Sequence, residues 1–407
     1  MRLSHLTLQD YRSYAEAQIP LSPGPNVLLG YNGVGKTNVV EAVGYLSTLA
    51  SHRVSQDAPL VRHGAERAII RAQAHRGSRE ALLEVEINPG RANRARINRG
   101  AAVRASDVLG VLRTVLFAPE DLELIKGSPN VRRRLLDDLA VQLRPAWGSV
   151  RLDYEKVLKQ RNALLKSIRY EGFTATHEST LEVWDHQLAE AGARVLQARF
   201  EVLEALRPHV AEAYQQLSGS VRTAKMRYQS SLDEFAGEEM RQGTGQSGAA
   251  GREQLAEQLR SGLGAARRQE RERATTLVGP HRDDLHFSLD DVPVKGYASH
   301  GETWSYALAL RLAGYRVMVD DDPSEGGRPV LILDDVFAEL DARRRRRLAE
   351  LAAEAEQLLI TAAVDDDVPE ALRAHAFRVE SVDQLSQISP AEELTDVSDA
   401  QPTDESR

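Results

Sequence analysis

Gly30-Tyr31-Asn32-Gly33-Val34-Gly35-Lys36-Thr37 decides how this chain is read. The stretch fits G-x-x-x-x-G-K-[ST] and lies between a short apolar run, Val27-Leu28-Leu29, and an amphipathic stretch carrying Val39, Val40, Val43, Leu46 and Leu49. Strand, glycine-rich turn and helix thus follow in the order that a phosphate cradle needs. Glycines let backbone N–H groups curl around phosphate oxygens, and the helix N-terminus adds about half a positive charge. Lys36 would reach the β- and γ-phosphates, and the Thr37 hydroxyl would bind Mg²⁺. Chance produces the pattern about once in 100,000 positions, roughly 0.4% for a chain of 407 residues. ATP and Mg²⁺ are the expected ligands.

Such a cradle needs an acid at the end of a distant buried strand. Pro329-Val330-Leu331-Ile332-Leu333, followed by Asp334-Asp335, supplies it. Asp334 is expected to hold Mg²⁺ directly or through water, and Asp335 to polarise an attacking water. A solvated strand end or a helix cap is the plainer alternative for the pair. Asp341 precedes a helix, where an N-cap explains it equally well. In Tyr297-Ala298-Ser299-His300-Gly301-Glu302, a serine and a glycine at the mouth of a helix make either a capping box or a second anion-binding end. Its place after the cradle and before the acidic strand end favours the second.

Around these motifs the texture changes twice. Residues 3–8 alternate as a strand, and residues 67–104 read as β-hairpins with a turn at Asn88-Pro89-Gly90. Residues 152–168, 181–217 and 253–271 carry helical spacing, with a Gly/Ser/Gln-rich loop at 237–251. The heptad register does not persist, so a compact helical subdomain is expected rather than a long arm. After residue 275 strands and helices alternate again. The expected fold is α/β, one mixed-sheet domain built from both ends of the chain around a helical insertion.

The net charge of −8 at first argues against a nucleic-acid partner. Residues 381–407 carry seven acids and one base, so this polar tail, read as disordered, holds −6 and leaves about −2 for the rest. Only seven of the 52 basic residues are lysine, leaving 45 arginines, which fits either codon bias or a preference for bidentate phosphate contacts. Arg132-Arg133-Arg134, and Arg94 and Arg96 in the hairpin at 91–104, are candidate phosphate contacts. The arginines at 343–347 cover every helix face, so some must pair, with Glu350 and Glu354 as candidate partners. No cysteine is present, which excludes disulfides, thiolate metal sites and a thiol nucleophile. His281 and His286 have the wrong spacing for a zinc pair. No apolar run reaches the ~18–20 residues of a membrane span, and no signal-peptide core follows Met1, so a cytoplasmic protein without a membrane partner is expected.

With these motifs in this order the chain resembles the ATPase heads of the ABC/SMC class, and within it the RecF family. The resemblance runs to about residue 380 and includes Tyr11-Arg12-Ser13-Tyr14, the cradle through Asn38, Ser51-His52-Arg53, Phe117-Ala118-Pro119-Glu120-Asp121-Leu122, Lys126-Gly127-Ser128-Pro129 and Gly279-Pro280-His281-Arg282-Asp283-Asp284. It implies a P-loop ATPase head with flanking helices and β-hairpins. The implied division is 1–115 and 275–380 as the two parts of ATPase lobe I, 116–274 as helical lobe II with a short arm, and 381–407 as the acidic tail. It further implies a head-to-tail, ATP-dependent homodimer in which Ser299, Gly301 and Glu302 act on the other copy's nucleotide. Asp341 becomes the D-loop residue and Glu120 the Q-loop candidate. ATP turnover is slow and serves as a switch. DNA, single-stranded or duplex, at gaps or junctions, is the implied ligand, with Arg53 added to the candidate contacts. RecR- and RecO-type mediators are the implied partners. Three positions depart from wider ABC patterns: Asp335 replaces a glutamate, Thr361-Ala362 stands where a switch histidine is common, and Glu302-Thr303-Trp304 lacks Gln-Gln-Arg. A transporter ATPase subunit or a structural SMC-like protein is the alternative; the insert is too long for the first and too short for the second.

Overall fold

The strand that ends in the glycine-rich turn sets the architecture of the computed structural model, which describes residues 1–235 and 251–391. β3 (Gly24–Leu29) runs parallel to β13 (Gln357–Ala362), β13 to β12 (Val330–Asp334), and β12 to β8 (Thr114–Phe117). On the other side β14 (His375–Val382) is parallel to β3, and β15 (Leu385–Pro390) closes the edge antiparallel. Parallel neighbours cannot be joined by tight turns, so this sheet must be woven from both ends of the chain. Every residue of β12 and β13 is buried, as strands covered on both faces require. Val330 and Ile332 face α1 (Lys36–Thr48), whereas Leu331 and Leu333 face the helical part.

The far side of α1 is covered by a second, antiparallel sheet. It contains β1 (Arg2–Tyr11), β2 (Tyr14–Pro20), β4 (Ala68–Arg76), β5 (Arg79–Ile87), β6 (Arg94–Ile97) and β7 (Val103–Arg104), in the order β2-β1-β4-β5-β6-β7. Its apolar face, with Leu6, Leu8, Ile70 and Val85, packs on Val39, Val43 and Leu46 of the helix. Each such side chain contributes about 1.5–3 kcal/mol when fully buried.

The helical part begins with α2 (Leu122–Lys126), α3 (Pro129–Leu143) and α4 (Ala146–Glu171), and centres on α5 (Ala175–Ser218), 44 residues long. α6 (Arg252–Arg273) and α7 (His300–Asp321) pack against α5. One buried charge pins three segments together: Arg161 donates to Asp185 at 2.7 Å, Thr276 at 2.9 Å and Glu270 at 2.6 Å. Removing one partner would strand a buried ion, which costs about 3–5 kcal/mol. Among the described residues no helix is long and apolar enough to cross a membrane.

Strands or strand pairings cross three of the expected boundaries. The stretch 116–274 is not wholly helical: β9 (Ala224–Gln229) pairs with β10 (Asp284–Leu289), and β11 (Val292–Pro293) completes a three-stranded sheet. Residues just past 275 therefore belong with the helical part, and β8 straddles the boundary at 115/116. The tail does not begin at 381, because the β14–β15 hairpin continues to Pro390 and buries Ser386. Residues 392–407, and the loop at 237–251 apart from Gly251, lie outside the described residues.

His281, in the loop before β10, shares a hydrogen bond with Tyr154 at 2.6 Å, and burial pushes its pKa down to about 3. Unfolding frees it to bind a proton below its ordinary value of about 6.5, so its contribution to stability is lost as pH falls. Between pH 7 and pH 5 that loss is about 2 kcal/mol. Denaturant titrations should show a steeper pH dependence for the native protein than for His281→Gln. Equal slopes would contradict a neutral, buried histidine.

Candidate nucleotide site

The phosphate loop is held from three directions. Gly33 and Gly35 adopt φ of 86° and 112°, values that side chains disfavour, and a Cβ on Gly35 would run into the hydroxyl of Ser386 on β15. That hydroxyl bonds Val34 O at 2.5 Å and Ser13 Oγ at 2.6 Å. Ser13 Oγ also accepts from Asn38 Nδ2 at 2.8 Å, and Tyr14 OH donates to Gly35 O at 3.2 Å. Tyr11-Arg12-Ser13-Tyr14 is thus the turn that buttresses the loop. Beside it Arg12 grips Glu41 in a two-pronged bridge at 2.8 and 2.6 Å. Burial alone would raise the Glu41 carboxyl, but Arg12 and Ser51 hold it below the usual range.

Inside the loop, the Lys36 ammonium is buried and donates to Gly30 O at 2.8 Å and Tyr31 O at 3.1 Å. Thr37 Oγ1 donates to Asp334 Oδ1 at 3.0 Å across 297 positions of chain. Thr361 Oγ1 donates to the same oxygen at 2.6 Å and accepts from Asp335 N at 2.8 Å. β13 lies between β3, which leads into the phosphate loop, and β12, which ends at Asp334, and this places Thr361 beside the Asp334 carboxylate. His52 Nε2 stands 3.9 Å from Asp334 Oδ2, and burial keeps this ring neutral, with its pKa lowered to about 4.

Burial, aided by Asp335 and Glu120, pushes Asp334 up to about 6, despite the two hydroxyls that favour its charged form. A buried carboxylate beside other acids is short of positive charge. A hydroxyl and one such carboxylate fit Mg²⁺, which keeps several waters and takes one or two carboxylates plus phosphate oxygens. Among the described residues no cluster of three or more His, Cys, Asp or Glu could hold a metal, and Mg²⁺ at a nucleotide does not need one. Asn32, Pro119, Asp335 and Thr361 line an open pocket of about 260 Å³, and Glu120 lines a separate pocket with His52 and Arg311.

Ser299 caps α7: its N–H and its hydroxyl both donate to Glu302 Oε2 at 2.9 Å, and Arg222 donates to Glu302 Oε1 at 3.0 Å. Among the described residues no hydrogen bond or ion pair joins Ser299, Gly301 or Glu302 to the phosphate loop or to Asp334. Asp341 caps α8 (Ala342–Ala352), accepting from Arg344 N at 2.9 Å. Arg344 also donates to Asp341 and, at 2.9 Å, to Ser305, and its guanidinium covers Gly301. Of the arginines at 343–347, Arg344 therefore finds Asp341 and Ser305, and Arg347 finds Gln216 O, rather than Glu350 and Glu354.

The candidate DNA contacts separate. Arg132 is 4% exposed and bridges Asp284 at 2.7 and 2.8 Å, so it is not available at a surface. Arg133 donates to Asp283 O at 2.5 Å, and Arg134 to Ser51 O at 2.7 Å and Asp138 at 3.2 Å. Arg53 donates to Asn38 at 2.9 Å, on the phosphate-loop helix. Arg96 faces Glu84 at 3.1 Å across the strands, whereas Arg94 is exposed with no ion pair among the described residues.

Removing the supports should be measurable with a fluorescent ATP analogue. Ser386→Ala should weaken binding about fivefold, from about 1 kcal/mol of lost hydrogen bonding, and Gly35→Ala by more than thirtyfold. Native affinity in Gly35→Ala would contradict the packing described.

Comparison with known proteins adds a family. Residues 2–386 match the model of the RecF/RecN/SMC N terminal domain. The chain is 56% identical over 382 residues to the DNA replication and repair protein RecF of Streptomyces avermitilis, covering 93% of this chain and 98% of that one. It is 54% identical over 392 residues to the same protein of Pseudarthrobacter chlorophenolicus, with 93% and 98% covered. A solved structure of the recombination mediator protein RecF with ATP, in the RecFOR pathway, superposes with a TM-score of 0.81 at 27% identity, covering 95% and 97%.

Proposed function

The chain belongs to the RecF family, within the RecF/RecN/SMC N-terminal domain class, and from that premise we propose that it is an ATP-gated DNA-binding protein of recombinational gap repair and replication restart. The observation that carries the ATP part is the meeting of Thr37 with Asp334 beside a fully buttressed phosphate loop. ATP in the solved relative supports the same ligand here.

Lys36 would leave the carbonyls of Gly30 and Tyr31 for the phosphates. Thr37 and Asp334 would hold Mg²⁺, which neutralises phosphate charge when bound. Asp335 is the group that would orient a water, and its short side chain fits slow turnover. Hydrolysis then resets DNA binding.

Ser299 caps an exposed helix end that touches nothing at its own phosphate loop. We assign it, with Gly301, to the nucleotide of a second copy, so the site is complete only in a head-to-tail dimer. Before it can take a phosphate, Ser299 must exchange the Glu302 carboxylate for it. Asp341, tied to Ser305 through Arg344, would sit at the same seam. The pathway named for the solved relative supports RecO- and RecR-type mediators as partners in loading recombinase.

Sedimentation with and without ATP–Mg²⁺ should show a monomer becoming a dimer. Ser299→Arg should bind ATP but stay monomeric, and Lys36→Ala should lose nucleotide affinity by at least tenfold. An ATP-induced dimer of Ser299→Arg would overturn the trans assignment.

A further inference from the structure

One face of α4 has no use in the fold. Tyr154, Arg161, Leu165 and Ile168 are buried against the neighbouring helices. On the opposite side, Leu152, Lys156, Lys159, Ala163, Lys166 and Tyr170 follow one another at alternating steps of four and three. At about 100° per residue these six fall within roughly 80° of arc, and all six are exposed.

The three lysines are three of only seven in a chain that otherwise uses arginine. None of them has an ion pair or hydrogen bond among the described residues, whereas most arginines of this part are held in bridges such as those of Arg132, Arg161 and Arg199. On the same helix Glu155, at the edge of the stripe, is paired with Arg151 at 3.5 Å. Tyr170 closes the stripe at 88% exposure, while its neighbour Phe173 is covered by the Arg271 guanidinium at 4.1 Å from the ring centre.

We propose that this stripe is a binding site for a single-stranded nucleic acid, the lysines taking phosphates along one strand and Tyr170 stacking on an unpaired base. Along the axis Lys156, Lys159 and Lys166 are spaced about 4.5 and 10.5 Å. These intervals are near one and three steps of a stacked strand at about 3.4 Å per nucleotide. Ammonium groups on flexible stems suit a backbone whose phosphates are not fixed in place. The aromatic end selects against other polyanions: an acidic peptide has no base to stack, and a duplex has its bases already stacked. The site rests on the function proposed above only in taking DNA as the natural strand. Nothing in it depends on ATP or on a second copy.

The test measures fluorescence anisotropy of the full-length protein with a labelled oligothymidylate and a hairpin duplex, across a salt series, without nucleotide. Lys156→Ala/Lys159→Ala/Lys166→Ala should lose at least tenfold in single-strand affinity. It should also flatten the log–log salt slope by about 2, as expected for three phosphate contacts. Tyr170→Ala should lose about tenfold on the single strand, with the slope kept and duplex binding unchanged. Both variants should retain native ATP-induced dimerisation, since all four residues are surface groups far from the nucleotide in sequence. Native affinity and slope in the triple variant overturn the site while leaving the ATP-gated reading standing. Equal losses on both probes in Tyr170→Ala overturn the single-strand assignment, and so does competition by polyglutamate as strong as that by oligothymidylate. A native protein that binds neither probe, with or without ATP, overturns both proposals.

Discussion

Asp334 accepts hydrogen bonds from Thr37 at 3.0 Å and Thr361 at 2.6 Å, and the first of these joins the two ends of the chain. Burial and two neighbouring acids hold its carboxyl up at about 6. The parallel sheet exists to make this meeting possible. β13 must lie between β3 and β12 for Thr361 to reach both, and nearly 300 residues must be routed outside the sheet for β12 to arrive at all.

The routed residues are coupled back to the site by arginines. Arg134 on α3 reaches Ser51 O, next to His52 and the Asp334 carboxylate. Arg222 grips Glu302, and Arg344 ties the cap of α8 to α7. Each bridge joins two elements that sequence keeps far apart, using the fork geometry a lysine cannot supply. The arginine excess thus has a structural use beyond any phosphate contact, and the unpaired lysines of α4 stand out against it.

The phosphate loop, the acidic end of β12 and the cap at Ser299 are legible in the sequence because their chemistry is local. A glycine at a fixed offset from a lysine, or two aspartates after five apolar residues, means the same thing in any context. Ser13, Ser386 and Thr361 are not legible, since a lone serine or threonine carries no periodicity and its partner is set by the fold. Arg132 looks like a surface arginine until Asp284, 152 positions away, is placed beside it. Residues 224–229 do alternate, but six residues within a helical region are too short to show a strand without β10 as partner. The C-terminal hairpin hides for a related reason: its polar residues continue into an acidic tail, and only the packing of Ser386 under Gly35 separates them.

The central claim is that each nucleotide needs Lys36 from one copy and Ser299 from another. Mixing Lys36→Ala with Ser299→Arg tests it most directly, because such a pair rebuilds one complete site from two defective chains. Sedimentation in ATP–Mg²⁺ should find each variant monomeric alone and the mixture dimeric, with one nucleotide per two chains. A mixture that stays monomeric, or a Ser299→Arg protein that dimerises unaided, would contradict the account.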